Sequence, residues 1–249
     1  MRLCVIPDIH NRIKPTQEII AKELNEVDEF IFLGDYFDHF YDGPEDVGAT
    51  AMYIKDLYET GKFKFLIGNH DLHYIIDHPA LRASTWTREK FDAVNNIIDE
   101  DMWSNFLWSY QKGNWLFSHA GINSADYKPE NIDDELNSHI ENVVENDLTR
   151  SEYFSPYGKF WLKYLSNNPP YAATDDGPLN QMIGHTVLAN WNMKQLVGYR
   201  VYWIDTCSQH YAIIDLEENT VNIKRSDYNH SYHPGEIKWL NRINQIQSL

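Results

Sequence analysis

Five short polar clusters in this sequence have the residue types that bind divalent metal ions. They read Asp8-x-His10, Gly34-Asp35-x-x-Asp38, Gly68-Asn69-His70-Asp71, Ser118-His119-Ala120-Gly121 and Gly184-His185-Thr186. Taken alone, Asp-x-His arises often by chance, and Gly-Asp-x-x-Asp is also a common turn. The third cluster is rarer, because average residue usage produces Gly-Asn-His-Asp in a chain of this length about once in a thousand. Together the clusters point to one site with oxygen and nitrogen donors.

The donor types favour a pair of divalent ions. Imidazole nitrogen and carboxylate oxygen suit manganese, iron and zinc, and the absence of cysteine from all five clusters argues against a structural zinc site. Two ions a few ångströms apart need a shared carboxylate to offset their repulsion, and a water between them ionises to hydroxide near neutral pH. The predicted chemistry is metal-assisted hydrolysis.

The hydrophobic pattern places the clusters at the ends of predicted strands. Apolar runs alternate with amphipathic stretches in the amino-terminal third, at residues 3–6, 14–24, 30–33, 47–58 and 63–67. This alternation predicts a βαβαβ unit, whose parallel strands bring their carboxyl ends to one edge of a sheet. The first three clusters follow the three apolar runs, and the run at 115–117 precedes the fourth cluster.

The rest of the chain predicts helical insertions and further strands within a single domain, residues 1–249. Residues 79–111 have aromatic side chains at helical spacing, and a longer insertion at about 125–180 contains an amphipathic helix and a second helical patch near 160–165. A C-terminal helix is expected at about 236–249. The later predicted strands lie at residues 182–183, 201–205, 211–215 and 220–223, with a hairpin connection between the last two.

In this order and spacing, the five clusters resemble the motifs of the calcineurin-like metallophosphoesterase superfamily, over roughly residues 1–225. The resemblance implies an α/β fold of mixed α+β character: a four-layer αββα sandwich of two mixed β-sheets flanked by helices. The run from Gly68 to His73 and the segment from Tyr202 to Thr206 are similar to the phosphoprotein phosphatase branch, and within it to the symmetrical dinucleoside tetraphosphatases. Cys207 departs from that group, which tends to have glycine there.

The resemblance also implies a ligand set for two divalent metal ions, with Mn²⁺ expected and Fe, Zn, Ni or Mg as alternatives. Asp35 would bridge the two ions. The remaining ligands would be Asp8 and His10 on the first ion, and Asn69, His119 and His185 on the second.

The catalytic residues implied by the resemblance are His70 and Asp38. His70 would protonate or electrostatically stabilise the leaving-group oxygen, and Asp38 would hold His70 in place. The bridging hydroxide would attack phosphorus in line while both ions neutralise charge on the phosphoryl oxygens.

Two positions depart from the motifs of this superfamily. Val187 occupies the position where many members have a further histidine. The phosphoprotein phosphatase branch also lacks this histidine. That branch has Asp-Arg-Gly where this chain reads Asp38-His39-Phe40, so its phosphate-binding arginine is absent or supplied elsewhere. Arg12 and Asn69 are the candidate substrate-binding residues, with a solvated surface arginine as the alternative for Arg12.

The substrate is expected to be a phosphorylated small molecule or a nucleotide. An aromatic loop with Tyr36, Phe37, Phe40 and Tyr41 favours this interpretation, because an aromatic face there could stack on a base. Core packing is nevertheless expected for at least two of the four residues. A Ser/Thr-type protein phosphatase and a non-catalytic scaffold that keeps the fold are the alternatives. His73 is expected to be a half-exposed helix residue in preference to a residue of the cleft.

Composition limits the remaining possibilities. The 249 residues include 21 Lys and Arg against 37 Asp and Glu, a formal charge of −16 that argues against bulk nucleic-acid binding, and against a nuclease unless a locally positive metal cleft overcomes it. No apolar stretch approaches the length of a membrane span, so no membrane partner is expected. The two cysteines are too few for a disulfide framework, and a cytoplasmic location is expected.

Overall fold

The βαβαβ unit predicted at the amino terminus is present and forms part of the first sheet. The computed structural model describes residues 1–146 and 169–228. Its first elements are β1 (Arg2–Ile6), α1 (Ile13–Glu23), β2 (Glu29–Phe32), α2 (Pro44–Glu59) and β3 (Phe63–Phe65). The three strands pair in parallel, with Cys4 opposite Phe30 and Phe30 opposite Phe63.

The region expected to be helical through residue 111 ends instead in a strand. After α3 (Leu72–Ile75), this region contains a 3₁₀ turn (Pro79–Leu81), α4 (Arg88–Asn95), α5 (Glu100–Trp103) and β4 (Ser109–Lys112), and β5 (Trp115–Ser118) follows it. β4 and β5 form an antiparallel hairpin in which Lys112 pairs with Trp115, and Gly113 at the turn has φ of 58°. The helical prediction for residues 109–111 is therefore wrong, because this hairpin takes the segment into the second sheet.

The later part of the described chain is mostly β-structure. After α6 (Pro129–Asn146) it contains β6 (Ala173–Thr174), β7 (Gly177–Pro178), β8 (Asn180–Ile183), β9 (Asn192–Gln195), β10 (Arg200–Trp203), β11 (His210–Asp215) and β12 (Thr220–Arg225). The first sheet has the order β12-β11-β1-β2-β3 and the second β4-β5-β8-β10-β9. The predicted hairpin is confirmed, since Asp215 pairs with Thr220.

Alternating side chains on the central strands divide the interior into separate cores. On β1, Leu3 and Val5 pack between the two sheets, whereas Cys4 and Ile6 face the core beneath α1 and α2. On β5, Leu116 faces away from the other sheet and packs with side chains of α6. Helices therefore cover the outer faces of both sheets, which confirms the four-layer αββα sandwich.

Two predicted helices, at about 160–165 and 236–249, lie outside the described residues. Within the described ranges, no helix combines the length and the apolar content needed to cross a membrane.

Candidate active site

The five clusters come together where strands of both sheets end. Asp8, Asp35 and Asn69 follow β1, β2 and β3 in the first sheet, and His119 and His185 follow β5 and β8 in the second. The strands concerned run parallel within each sheet, so their carboxyl ends open onto one cleft. The cleft has a volume of about 420 Å³, a size typical of sites for small molecules.

Asp8, His10 and Asp35 form the first group of side chains that could hold a metal ion. One ligand atom from each lies within 4.8 Å of the others. Nδ1 of His10 donates to the backbone oxygen of Phe37 at 2.7 Å, because a carbonyl oxygen can only accept. This hydrogen bond leaves Nε2 as the nitrogen available to a metal, and Nε2 lies 3.7 Å from Oδ2 of Asp35.

Asp35, His119 and His185 form the second group, which Asn69 completes. Ligand atoms of the first three residues also lie within 4.8 Å of one another. Oδ1 of Asn69 is 3.0 Å from Nε2 of His119 and 2.9 Å from Nδ1 of His185. Nδ1 of His119 contacts the backbone oxygen of Leu33 at 2.8 Å, which directs Nε2 to the site. Oxygen and nitrogen donors thus converge on a second point.

Asp35 belongs to both groups, and its surroundings fix its position. Oδ1 accepts a hydrogen bond from the backbone N–H of His70 at 2.7 Å. The buried Asp71 carboxylate accepts the backbone N–H groups of Asp35, Tyr36 and Gly68 at 2.8, 2.9 and 2.8 Å. A Cβ atom at Gly68 would clash with the Asp35 side chain, so this position requires glycine.

The backbone at the site is strained in a way typical of functional loops. His10, Asp35, Asp38 and His185 all have positive φ, at 41°, 52°, 70° and 61°. Residues with side chains rarely adopt this left-handed conformation, and they keep it only where surrounding contacts outweigh its cost. The three loops that contain these residues therefore present their side chains at the cost of local strain.

Charge in the site favours a bound cation. Burial opposes a charged His119, but the Asp35 and Asp8 carboxylates outweigh burial and raise the pKa of His119 to about 10. At His10, burial outweighs the attraction of Asp35 and lowers the pKa to about 4, so this ring is neutral near pH 7. Neutral imidazole is the form that binds metal. The donor set and its electrostatics fit divalent metal ions.

His70 and Asp38 also lie together at the cleft. Nδ1 of His70 is 3.5 Å from Oδ2 of Asp38, and the ring of His70 packs against that of His10 at a centroid distance of 5.2 Å. Because Nδ1 faces Asp38, Nε2 is the nitrogen of His70 available to a substrate. The structure thus brings these two residues together, and their catalytic roles remain a prediction.

Arg12 and two aromatic residues line the mouth of the cleft. Arg12 is half-buried. Burial raises the pKa of Asp42, but hydrogen bonds with His39 and Asn11 and the positive charge of Arg12 outweigh burial and lower this pKa. Phe40 and Tyr41 also line the cleft, with 66% and 55% of their surface exposed. Tyr36 and Phe37 of the same loop are fully buried, so the expectation that at least two of the four pack in the core is confirmed.

The prediction for His73 is wrong. Its side chain is fully buried, and Nε2 lies 2.9 Å from Oδ2 of Asp38. No sequence pattern indicated Tyr74, whose hydroxyl donates to Oδ1 of Asp38 at 2.8 Å, or the role of Asp71. The one signal available was position, since all three residues directly follow the Gly68-Asn69-His70 run.

Two facing sheets with such donors at their strand ends define a metal-dependent hydrolase. Residues 1–191 match the model of the calcineurin-like phosphoesterase family. The chain belongs to this family, whose members are metal-dependent hydrolases of phosphoester bonds.

Solved structures similar to this chain have low sequence identity. A serine/threonine phosphatase from Saccharomyces cerevisiae with similarity to human phosphatase PP5 has 12% identity and a TM-score of 0.52, over 94% of this chain and 81% of that chain. A putative diadenosine tetraphosphatase has 14% identity and a TM-score of 0.49, over 92% and 95%. A metallophosphoesterase from Sphaerobacter thermophilus has 14% identity and a TM-score of 0.43, over 98% and 94%. A search of curated protein sequences finds no match.

Proposed function

We propose that this enzyme hydrolyses phosphate esters or anhydrides of small molecules or nucleotides at a dinuclear metal centre. The observation that carries the proposal is the position of Asp35, which contributes to both donor groups and so can bridge two ions. The proposed ligands are Asp8, His10, Asp35, Asn69, His119 and His185. Mn²⁺ is the proposed metal, because the carboxylate and amide oxygens of this set suit it and it also accepts imidazole nitrogen.

When bound, two such ions supply Lewis-acid neutralisation of phosphoryl charge and a hydroxide nucleophile at neutral pH. In the proposed reaction, His70 donates the proton on Nε2 to the leaving-group oxygen as the P–O bond breaks, and it regains a proton from water. Asp38, near Nδ1 on the other side of the ring, holds the ring in this orientation. A positioned acid of this kind contributes about 10²–10⁴-fold to the rate.

The mouth of the cleft supports a small-molecule or nucleotide substrate. Arg12 offers a planar cation able to contact phosphate oxygens in a bidentate manner, and Asn69 lines the same cleft. Exposed aromatic side chains are suited to stacking on a base, which supports assigning Phe40 and Tyr41 to a nucleotide's base. We also propose a cytoplasmic location, supported by the buried Cys4 and Cys207, which form no disulfide with each other.

The test is hydrolysis of p-nitrophenyl phosphate with added Mn²⁺ by the wild-type enzyme and by His70→Ala and Asp35→Asn. Both variants are expected to lose at least about 10²-fold in kcat. His78→Ala is the matched control, since His78 starts the 3₁₀ turn and does not line the cleft, and it should retain full turnover. Undiminished turnover in both site variants would overturn the mechanism.

A substrate panel then separates the candidate substrates. It contains phosphomonoesters, a cyclic phosphodiester, a dinucleoside polyphosphate and a phosphoserine peptide. The proposal predicts a higher kcat/KM for a nucleotide or another small phosphate than for the peptide. A clear preference for the peptide would instead identify a protein phosphatase.

A further inference from the structure

A buried cluster behind the cleft surrounds the carboxylate of Asp38. Oδ1 accepts the hydrogen bond from the Tyr74 hydroxyl at 2.8 Å. Oδ2 lies 2.9 Å from Nε2 of His73 and 3.5 Å from Nδ1 of His70. One carboxylate is thus shared by two histidines that are three residues apart in the chain.

The ring of His73 is oriented by a backbone group on its other side. Its Nδ1 accepts the N–H of Ala83 at 3.4 Å, so Nδ1 carries no proton. The ring proton is therefore on Nε2, the nitrogen that faces Asp38. Nε2 and Oδ2 are in close contact, but they are not aligned as a hydrogen bond. Neither atom has a hydrogen-bond partner among the described residues.

The Asp38 cluster holds a buried charge. The side chains of His73 and Asp38 are fully buried, and a charge in such a place is costly unless polar groups surround it. Burial favours the neutral form of Asp38, but the nearby histidines outweigh it and keep the pKa of this carboxyl below its usual range. Tyr74 packs edge-on against Phe37 at a centroid distance of 4.9 Å, which limits movement of its hydroxyl.

We propose that His73 and Tyr74 are positioning residues of the reaction: they hold the Asp38 carboxylate so that its Oδ2 stays beside His70 and orients that ring toward the leaving-group oxygen. Neither residue lines the cleft, so both act through Asp38. The inference rests on the proposed role of His70 as proton donor.

Substrates with different leaving groups distinguish this role from a purely structural one. An alkoxide needs protonation as the P–O bond breaks, whereas 2,4-dinitrophenolate departs without it. Displacing His70 should therefore slow hydrolysis of an alkyl phosphate far more than hydrolysis of 2,4-dinitrophenyl phosphate. A general loss of folded enzyme lowers both rates equally.

The experiment measures kcat for these two substrates at saturating Mn²⁺ in His73→Leu, His73→Gln and Tyr74→Phe. We expect His73→Leu to lower kcat for the alkyl phosphate by about 10–100-fold, because part of the contribution of His70 as an acid is lost. For the dinitrophenyl ester, kcat should change by at most about threefold. His73→Gln keeps an N–H donor at similar reach and should recover part of the loss. Tyr74→Phe should show the same substrate dependence to a smaller extent.

Tyr127→Phe is the matched control, because it also removes a buried tyrosine hydroxyl, one that lies 2.9 Å from the Ser109 hydroxyl away from the cleft. It should change both rates by the same factor or not at all. Tyr74→Phe is nearly isosteric and decides the matter alone if His73→Leu does not fold.

Equal losses on both substrates in the His73 and Tyr74 variants, or no loss, would overturn the inference and leave the proposed function intact. A wild-type enzyme that hydrolyses neither ester with Mn²⁺ would instead overturn the proposed function, and this inference with it.

Discussion

Asp71 holds the backbone of Asp35 through a hydrogen bond of 2.8 Å from the Asp35 N–H to Oδ2 of Asp71. The same carboxylate accepts two further backbone N–H groups, from Tyr36 and Gly68. It thereby ties the loop after β2 to the loop after β3. The position of the proposed bridging ligand thus depends on Asp71, whose side chain contacts the backbone of Asp35 and is not itself one of the proposed metal ligands.

Asp71→Asn tests this dependence. An amide places N–H groups against backbone N–H donors, so a buried hydrogen bond is lost, and the free energy of unfolding should fall by about 1–3 kcal/mol. Denaturant unfolding of the metal-free protein measures the change. Asp56→Asn, on the exposed face of α2, is the control and should stay within about 0.5 kcal/mol of wild type. Equal stability of the two variants would show that Asp71 does not hold the loops.

Arg12 is expected to bind the substrate phosphate. Arg12→Ala should lower kcat/KM for p-nitrophenyl phosphate by about 10–100-fold, the equivalent of a charge-assisted hydrogen bond of roughly 1.5–3 kcal/mol. Arg12→Lys keeps the charge but loses the planar pair of donors, so it should recover only part of the loss. Steady-state kinetics give both values. Lys14→Ala, in an exposed position of α1, is the control, and a comparable loss there would point to general surface charge instead.

Phe40 is expected to select for substrates that carry a base. Phe40→Ala should lower kcat/KM for a dinucleoside polyphosphate by about 5–150-fold, the value of one stacked base, and should leave glycerol phosphate unaffected. Phe40→Trp should retain selectivity. Met52→Ala removes another half-exposed apolar side chain, on α2, and serves as the control. The same loss on both substrates, or none, would argue against stacking.

A buried ion pair remote from the cleft predicts how stability depends on pH. Oε1 of Glu23 accepts hydrogen bonds from Tyr211 at 2.7 Å and Lys224 at 2.8 Å. Burial alone would raise the pKa of Glu23, but these donors outweigh it and hold the pKa below its ordinary value of 4.5. A carboxylate with a lowered pKa stabilises the fold above the ordinary value, and this stabilisation disappears as the pH falls through the folded-state pKa.

Glu23→Gln should therefore be less stable than wild type by about 1–2 kcal/mol at pH 7, with the difference shrinking below pH of about 4.5. Denaturant unfolding at a series of pH values measures it. Glu59→Gln, at the exposed end of α2, should show no such trend. A difference that stays constant with pH would mean that the charge of Glu23 does not contribute.

The sequence predicts the parts of the site that depend on local pattern. Asp8, Asp35 and Asn69 each follow an apolar run, and parallel pairing of these runs is enough to bring them to one edge. His119 and His185 follow strands of the second sheet, and the resemblance supplied the information that this sheet faces the first. Order along the chain, together with the resemblance, was thus enough to predict which side chains lie near Asp35.

Burial behind the cleft could not be predicted in the same way. His73 is buried because the segment around Ala83 packs across α3, a contact between residues ten positions apart that no periodic pattern indicates. The strand at Ser109–Lys112 was missed for a different reason. Tyr110 continues the helical spacing of the aromatic residues before it, while the signal that decides the structure is the Gly113-Asn114 turn that pairs this strand with β5.

The most direct test of the dinuclear centre is the metal content of the purified enzyme after loading with Mn²⁺ and removal of free ions. The wild-type protein should retain about two Mn²⁺ ions per chain, because Asp35 serves both donor groups. Asp35→Asn should retain fewer, while the surface control Asp56→Asn should match wild type. Retention of fewer than about one ion per chain by the wild-type protein, together with no hydrolysis of p-nitrophenyl phosphate, would contradict the two-metal account.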